Sequence, residues 1–405
     1  MKRLLRLLVV ALVLLAGAAH ATSAGNADIS YSTWTVSGSS VLLKFMLPVA
    51  AARARMRNDV PVLTTRSLGE YILGHVAVQA AGRDCPAVDQ GYDLGKVDPL
   101  SVGADQYGFE ILFRCPAAKG LVLHNHVLFG RAPGHVNFAR IEKDGHAVDQ
   151  VFTARHEELS VPDSGTMAPA GLGWYAHLGW MHMLLSPDRL CFLLGSLLLI
   201  RRPREAGYLM AGLLFGYACA LSVSATGWFL PRGTLLEAFV GFMVALLAAL
   251  ISQRTLQLPR VSALGCPALL LLLAIGTTLT HAHWQAVMLF GAALFAGGFL
   301  AIAALPGTPR IFWLLPAAIV GFLDGFVLPS MLSPLRLPQR AQLWMSLGFD
   351  LGSALTAVSS IGLALGAYAL LRRRRLVLPR MAVSEIAAAG LGAFGTFWLL
   401  SRLYS

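Results

Sequence analysis

The chain has 405 residues, of which 56% are apolar and only 13% are charged, and its formal net charge is +11. Soluble globular proteins carry about 25% charged residues, so this composition excludes a wholly soluble protein and indicates that much of the chain lies in lipid. The excess positive charge lies at the N-terminus and, after residue 171, in arginines between apolar runs. That distribution is typical of membrane topology and argues against a nucleic-acid-binding surface.

The first 21 residues have the features of a secretory signal peptide. Three basic residues near the start precede the apolar run Leu7–Ala16, which is followed by the small-residue pattern Ala19-His20-Ala21. We expect cleavage after Ala21; the alternative is an uncleaved anchor helix, for which the apolar run is short. In both cases the segment that follows is exported.

Residues 22–161 are expected to form a small periplasmic β-sandwich-like domain or a barrel. Short alternating runs rich in Val, Ile, Phe and Tyr, broken by Gly, Asp and Pro, are typical of strands. The predicted elements are strands at 29–36, 41–47, 76–80, 109–113 and 121–129 and a helix at 68–74. The Pro- and Gly-rich residues 162–173 are expected to be a linker into the membrane.

Cysteine usage fits this division. Cys85 and Cys115 both lie in the exported part, where an oxidising compartment would allow one disulfide between them. Cys191, Cys219 and Cys266 lie in apolar segments, where inert packing is the usual role.

Residues 174–405 are predicted to be a transmembrane helical domain of about seven to eight helices. A span needs about 20 mainly apolar residues. Eight segments satisfy this requirement: 176–200, 206–228, 234–252, 263–280, 284–305, 310–332, 343–371 and 381–400. The seventh is long enough to contain a break at Gly352. The first and sixth each carry an acid and a proline, which indicates a weak likeness between two halves.

The loop charges predict the orientation, because Lys and Arg accumulate on the cytoplasmic side. With the N-terminal domain outside, 11 arginines lie in inside loops and 4 lie outside. We therefore expect a multi-pass protein of a bacterial inner membrane, with the N-terminal domain periplasmic and the C-terminus outside.

Ionisable groups within predicted spans are candidates for function because they are costly in a bilayer. His182 and Asp188 are six residues apart in the first span, on different faces of an unbroken helix. A break at Pro187 would bring them to one polar pocket. The alternative, slightly favoured by spacing alone, is a structural Asp188–Arg189 pair near the membrane surface.

The exported start ISYSTWTVSGSSVLLKFMLP (29–48), followed by a helix with Gly179, His182, Asp188 and Phe192, resembles the HupE/UreJ family of hydrogenase and urease accessory membrane proteins. His182 and Asp188 match the family's first-helix pattern. Arg189 stands where the family has a second histidine.

The resemblance continues along the later spans. FGYACALSVS (215–224) is similar to the family's second-helix motif, with Cys219 in place of a histidine, and Glu237 matches an acidic position on the next helix. GFLDGF (321–326) is similar to the family's His-Gly helix, with Asp324 in place of the histidine. FDLG (349–352) resembles the last polar motif, with Asp350 in the polar role.

The resemblance implies a candidate permease for a transported divalent cation, nickel or cobalt, without a tightly bound cofactor. The implied metal site comprises His182, Asp188, Cys219, Glu237, Asp324 and Asp350, with Arg189 as an ion-pair partner. If these groups converge, Arg189 neutralises Asp188 or Asp324 and the cavity remains negative. The expected partners are the lipid bilayer, the metal ion and a periplasmic protein, but no nucleic acid.

Two further pairs of histidines are weaker candidates. His124 and His126 point to one face of a predicted strand, where they are either metal ligands or, as favoured, ordinary surface residues. His281 and His283 lie in a predicted outer loop and are candidate entry ligands.

The function hypotheses fall into two main classes. The first is the divalent-cation permease; the rival is a non-transporting membrane scaffold or sensor whose exported domain binds a partner, which the three replaced histidines favour. We do not expect an enzyme, since the sequence has no Gly-x-Ser-x-Gly elbow, His-Glu-x-x-His helix or Walker loop.

Overall fold

The computed structural model describes residues 29–49, 51–52, 65–88, 106–132, 135–163, 171–200, 203–226, 231, 233–255, 259–279, 283–305, 312, 314–332, 339–373 and 380–403. These residues form two compact units, one rich in β-strands and one helical. The predicted signal peptide and His281 lie outside the described residues, as do most of the predicted linker and the side chain of His283.

The described residues of the β-rich unit include ten strands and the helix α1. Their bounds are β1 (Ile29–Ser37), β2 (Ser40–Pro48), α1 (Thr65–Leu73), β3 (Val76–Ala80), β4 (Arg83–Asp84), β5 (Ala87–Val88), β6 (Gln106–Arg114), β7 (Leu121–Asn125), β8 (Val136–Lys143), β9 (His146–Thr153) and β10 (Glu158–Val161). Residues 49 and 51–52 are also helical. Buried and less buried residues alternate along β2, β3 and β7, which is the period of two expected for strands with one face on a core.

The strands form two sheets, ordered β5-β6-β2-β1-β8-β9 and β10-β7-β3-β4. Strand β1 pairs in antiparallel register with β2 (Tyr31 opposite Met46) and in parallel register with β8 (Ile29 beside Val136). Buried side chains of both sheets, among them Trp34, belong to one hydrophobic core.

A tight turn and a disulfide are further local features of this unit. Asp144 and Gly145, between β8 and β9, both have positive φ, the combination that a tight type I′ hairpin turn requires. Cys85 and Cys115 are joined in a disulfide, with their Cα atoms 4.4 Å apart.

The helical unit follows. Its helices are α2 (Leu172–Leu185), α3 (Pro187–Leu199), α4 (Pro203–Thr226), α5 (Gly233–Thr255), α6 (Pro259–Leu279), α7 (His283–Ala304), α8 (Leu314–Gly325), α9 (Val327–Leu332), α10 (Gln339–Arg373) and α11 (Arg380–Leu403). Helix α10 is continuous through Gly352, so the break considered there is absent. The predicted sixth span is instead divided between α8 and α9.

The described helices have the length and composition of membrane spans. Six segments are long and apolar enough to cross a membrane: α4, α5, α7, α10, α11, and α8 with α9 taken together. The bent pair α2–α3 brings the number to seven if it counts as one span. Among the described residues, every exposed large hydrophobic side chain lies between Leu172 and Phe397. So much exposed apolar surface is unusual for a soluble protein and is what lipid contact requires. The architecture is therefore that of a β-rich N-terminal region followed by about six to seven long apolar helices, compatible with a multi-span membrane protein.

Candidate functional site: a buried charge cluster

The first apolar segment of the helical unit is broken at Pro187, and this break positions the charged residues. Helices α2 and α3 meet there at an angle of 72°. Proline has no backbone N–H and cannot continue the hydrogen-bond ladder. The Ser186 hydroxyl compensates in part by donating to the carbonyl of His182 at 2.6 Å. The break places Asp188 in the first turn of α3, where the positive end of the helix dipole favours a carboxylate.

The centre of the site is Arg189, which contacts carboxylates from two helices. Its Nε donates to Oδ1 of Asp324 on α8, and its Nη1 lies 3.4 Å from Oδ2 of Asp188. The hydroxyl of Tyr217 on α4 donates to the other oxygen of Asp324 at 3.5 Å. We call Asp188, Arg189, Tyr217 and Asp324 the Arg189 cluster. All four side chains are buried, none being more than 3% exposed.

A second ion pair lies on α5 and α11. Glu237 accepts a hydrogen bond from Nε of Arg402 at 2.7 Å, and the Arg402 guanidinium also lies 4.9 Å from the ring centre of Trp398. Glu237 is close enough to the Arg189 cluster for its charge to interact with Arg189 and Asp188. The structure therefore places the acid predicted at this position beside the cluster, but gives it a cation of its own.

Asp350 on α10 is buried and has no cation partner among the contacts of the described residues. It is 5% exposed, its Oδ2 has no hydrogen-bond partner, and its charge interacts with that of Asp324. One turn earlier on the same helix face, the hydroxyl of Ser346 is also buried and unpartnered. Among the described residues, this part of the helical unit brings together two guanidinium groups and four carboxylates. An ionised cluster would thus carry more negative than positive charge.

The remaining predicted ligands are placed differently. His182 lies on α2 against the ring of Phe349, with ring centres 5.3 Å apart, and its Nε2 is buried without a hydrogen-bond partner. Its position also lets it interact with the charge of Arg189. Cys219 is half-buried on α4, two residues and therefore about 200° around the helix from Tyr217. The geometry thus favours His182, and not Cys219, as a neighbour of the cluster.

The histidine pair of β7, His124 and His126, lies against glutamates and does not form a ligand group. Nδ1 of His124 lies 3.4 Å from Glu158, and Nδ1 of His126 lies 2.7 Å from Glu157. Within the described parts of both units, no three His, Cys, Asp or Glu side chains are arranged as a ready-made metal site. Any cation bound by the Arg189 cluster would have to displace Arg189 from its carboxylates.

Sequence reasoning missed two members of this region, Tyr217 and Arg402. Tyr217 lies inside the apolar run FGYACALSVS, where a tyrosine is indistinguishable from a core or interfacial residue. Arg402 was assigned to an outside position near the chain end. The signal that could have pointed to them is an acid within an apolar run that needs a partner: Asp324 for Tyr217 and Glu237 for Arg402.

Comparisons with known proteins leave the family open. A scan against protein-family models finds none that matches this chain, and no curated protein matches it significantly.

Proposed function

We propose that the chain is a HupE/UreJ-like permease of a bacterial inner membrane, with an exported β-rich domain, and that it carries a divalent cation such as nickel or cobalt. The observation that carries the proposal is the Arg189 cluster with its surplus of carboxylates. Ionisable groups are expensive in a bilayer and commonly mark ion pathways. Here they come from several helices that meet at a helix broken by proline, which is a recurrent way of building transport sites.

Arg189 has a defined role in this proposal. Its guanidinium pairs with Asp188 and Asp324, because unpaired carboxylates would be costly in this buried position. An incoming cation would take its place between the two carboxylates. His182 is available as an additional ligand, since its Nε2 has no hydrogen-bond partner. Neutral imidazole and carboxylate together suit nickel, cobalt and similar ions.

The alternative function is a non-transporting scaffold or sensor, and one observation favours it. Arg189 already satisfies Asp188 and Asp324 within the helical unit, so the cluster can be explained as a structural ion-pair network. In that case the exported β-rich unit would carry the function by binding a partner.

Cellular uptake of radioactive nickel and cobalt distinguishes the two. We expect His182→Ala and Asp324→Asn to reduce uptake at least tenfold while leaving the amount of protein in the membrane unchanged. Glu385→Gln is the matched control, because Glu385 is an exposed acid on α11 of the same unit. Uptake that is the same in all three variants and in a deletion strain would reject the permease and support the scaffold.

A further inference from the structure

Two stretches of the helical unit share an unusual pattern. In the first, Gly179 is followed by an aromatic residue, by His182 at the third position after it, and by Pro187 at the eighth. In the second, GFLDGFVLP (321–329), glycine, aromatic residue, ionisable residue and proline occupy the same four positions. Both stretches end one helix and begin another. In the first, α2 and α3 meet at a bend of 72°; in the second, α8 ends and α9 begins within one candidate span, Leu315–Leu332.

The first broken helix packs tightly on α10. A Cβ atom added at Gly179 would overlap the carbonyl oxygen of Phe349, and one added at Gly352 would overlap the carbonyl oxygen of Ala176. Backbones approach this closely only where side chains are absent. The contacts therefore define the register of α2 against α10.

The second broken helix packs on α4 in the same register. A Cβ atom at Gly321 would overlap the carbonyl oxygen of Leu213, and one at Gly216 would overlap that of Ala318. The residues of this contact correspond to those of the first contact by constant differences in residue number. On the broken helices the offset is 142 (176 to 318 and 179 to 321), and on their partners it is 136 (213 to 349 and 216 to 352). Equal contacts at equal offsets identify α2 with α8 and α4 with α10.

The third helices, α5 and α11, pack on each other. A Cβ atom at Gly241 would lie 2.7 Å from the backbone nitrogen of Leu399, and one at Gly395 would lie 2.5 Å from that of Ala245. The contact is reciprocal, with a single offset of 154 (241 to 395 and 245 to 399). A reciprocal contact is the signature of a two-fold axis. Over three turns, from the ion pair of Glu237 with Arg402 to the contact of Ala248 with Gly392, the residue numbers run in opposite directions. The helices are therefore antiparallel and the axis is perpendicular to them.

Helix directions give the orientation of the two repeats. Along α2 and α10 the contacts advance together: a Cβ atom at Gly348 would meet Leu172, one at Gly352 would meet Ala176, and Thr356 donates to the carbonyl of Trp180, so these helices are parallel. The first helix of one repeat is thus parallel to the second helix of the other. Consecutive spans alternate in direction, so the repeats α2–α5 and α8–α11 have opposite orientations in the membrane.

We propose that the helical unit is an inverted repeat and that its substrate site lies on the two-fold axis, built from equivalent positions of both repeats. His182 and Asp324 are equivalent, so the axis passes midway between them, and Asp324 contacts Arg189. Tyr217 and Ser353 are equivalent on the second helices and both are buried. Each donates a hydrogen bond to the broken helix of the other repeat: Tyr217 to Asp324, and Ser353 to the carbonyl of Gly179. Tyr217 and Ser353 therefore hold each broken helix against the second helix of the other repeat.

Transport by alternating access through the two repeats rests on the proposed function. Sites at the interface of inverted repeats, beside broken helices, are opened to each side of the membrane in turn when the two halves exchange conformations. The inverted repeat itself does not depend on transport, so the two statements are tested separately.

Cysteine labelling tests the inversion. Gly173 and Leu315 are equivalent exposed positions at the starts of α2 and α8, and Thr226 is exposed at the end of α4. Single cysteines are introduced in the full chain after Cys191, Cys219 and Cys266 are replaced by serine, with the Cys85–Cys115 disulfide retained. With a membrane-impermeant maleimide, Gly173→Cys and Thr226→Cys should react from one side and Leu315→Cys only from the other. Reaction of the equivalent positions 173 and 315 from the same side overturns the inverted repeat.

An exchange across the axis tests the site. We expect His182→Asp alone and Asp324→His alone to weaken nickel binding by purified protein at least tenfold, and the double exchange to restore it to within about threefold of wild type. A double variant as weak as the singles, although inserted and monodisperse, overturns the axial site. Absence of nickel and cobalt binding by the wild type would overturn the proposed function, while the labelling result would still decide the repeat.

Discussion

Removal of the Arg189 charge is the most informative single perturbation of the helical unit. Arg189 is 3% exposed and contacts two carboxylates that are themselves 1% and 3% exposed. Breaking a buried ion pair by removing one partner typically costs about 3–5 kcal/mol, because a charge remains without compensation. We expect Arg189→Gln to lower the unfolding free energy by about this amount.

The second half of the cycle is Asp324→Asn. This change leaves Arg189 with Asp188 at 3.4 Å, so it should cost less, about 1–3 kcal/mol. In the double variant the uncompensated Asp324 charge is absent, and the total cost should fall short of the sum of the single costs by about 1–3 kcal/mol. Unfolding of the purified proteins in mixed micelles measures all four members of the cycle. Additive costs would refute the argument, because they would mean that Arg189 and Asp324 do not stabilise each other.

Three other predictions concern packing, the disulfide and pH. Gly352→Ala should destabilise the protein by about 1–3 kcal/mol by overpacking the contact with α2, whereas Gly362→Ala on the same helix, with nothing within 4 Å of the added Cβ, should be neutral or stabilising in the same unfolding assay. Reduction of the disulfide between Cys85 and Cys115, 30 residues apart, should destabilise the β-rich unit by roughly 3–4 kcal/mol; unchanged amide-exchange protection in β6 after reduction would contradict this. Burial raises the pKa of Asp149 on β9, an effect that Arg140 opposes, so the carboxyl favours folding at low pH and this contribution is lost as the pH rises through the raised pKa. Asp149→Asn should therefore increase exchange protection of β8 and β9 at pH 7 but not at pH 3, and an equal effect at both values would be contrary to the sign of the shift.

The elements were largely predictable because each depends on a local pattern. Strand β3 was predicted at 76–80, and the structure has it at Val76–Ala80, since alternation and flanking turns define a strand without knowledge of its neighbours. The break at Pro187 was likewise local, because proline removes a backbone donor wherever it occurs. By contrast, the division of the sixth span into α8 and α9 was not predicted, although Pro329 lies just beyond the break.

The partners within the site were less accessible to sequence reasoning, because they depend on packing between distant segments. Arg189 and Asp324 are 135 residues apart, and the sequence limited the partner of Arg189 to Asp188 or Asp324 without showing that it contacts both. Tyr217 has no polar neighbour in sequence, so its contact with Asp324 emerges only once α4 and α8 are packed. The same holds for Glu237, whose cation lies on the last helix.

The glycine contacts hold in place the helices that carry the charge cluster. Helices in lipid gain little from hydrophobic association and depend on close backbone packing. Close contacts such as that of Gly321 with the backbone of Leu213 therefore hold the two broken helices in fixed positions. Once held, the equivalent residues His182 and Asp324 face a common centre, and their different chemistry makes that centre asymmetric. A carboxylate at one position and an imidazole at the other place the negative charge on one side, where Asp324 shares Arg189 with Asp188. The exchange of His182 and Asp324 therefore tests two properties, the equivalence of the two positions in packing and their difference in charge. Nickel binding is restored only if Arg189 can pair with a carboxylate at either position.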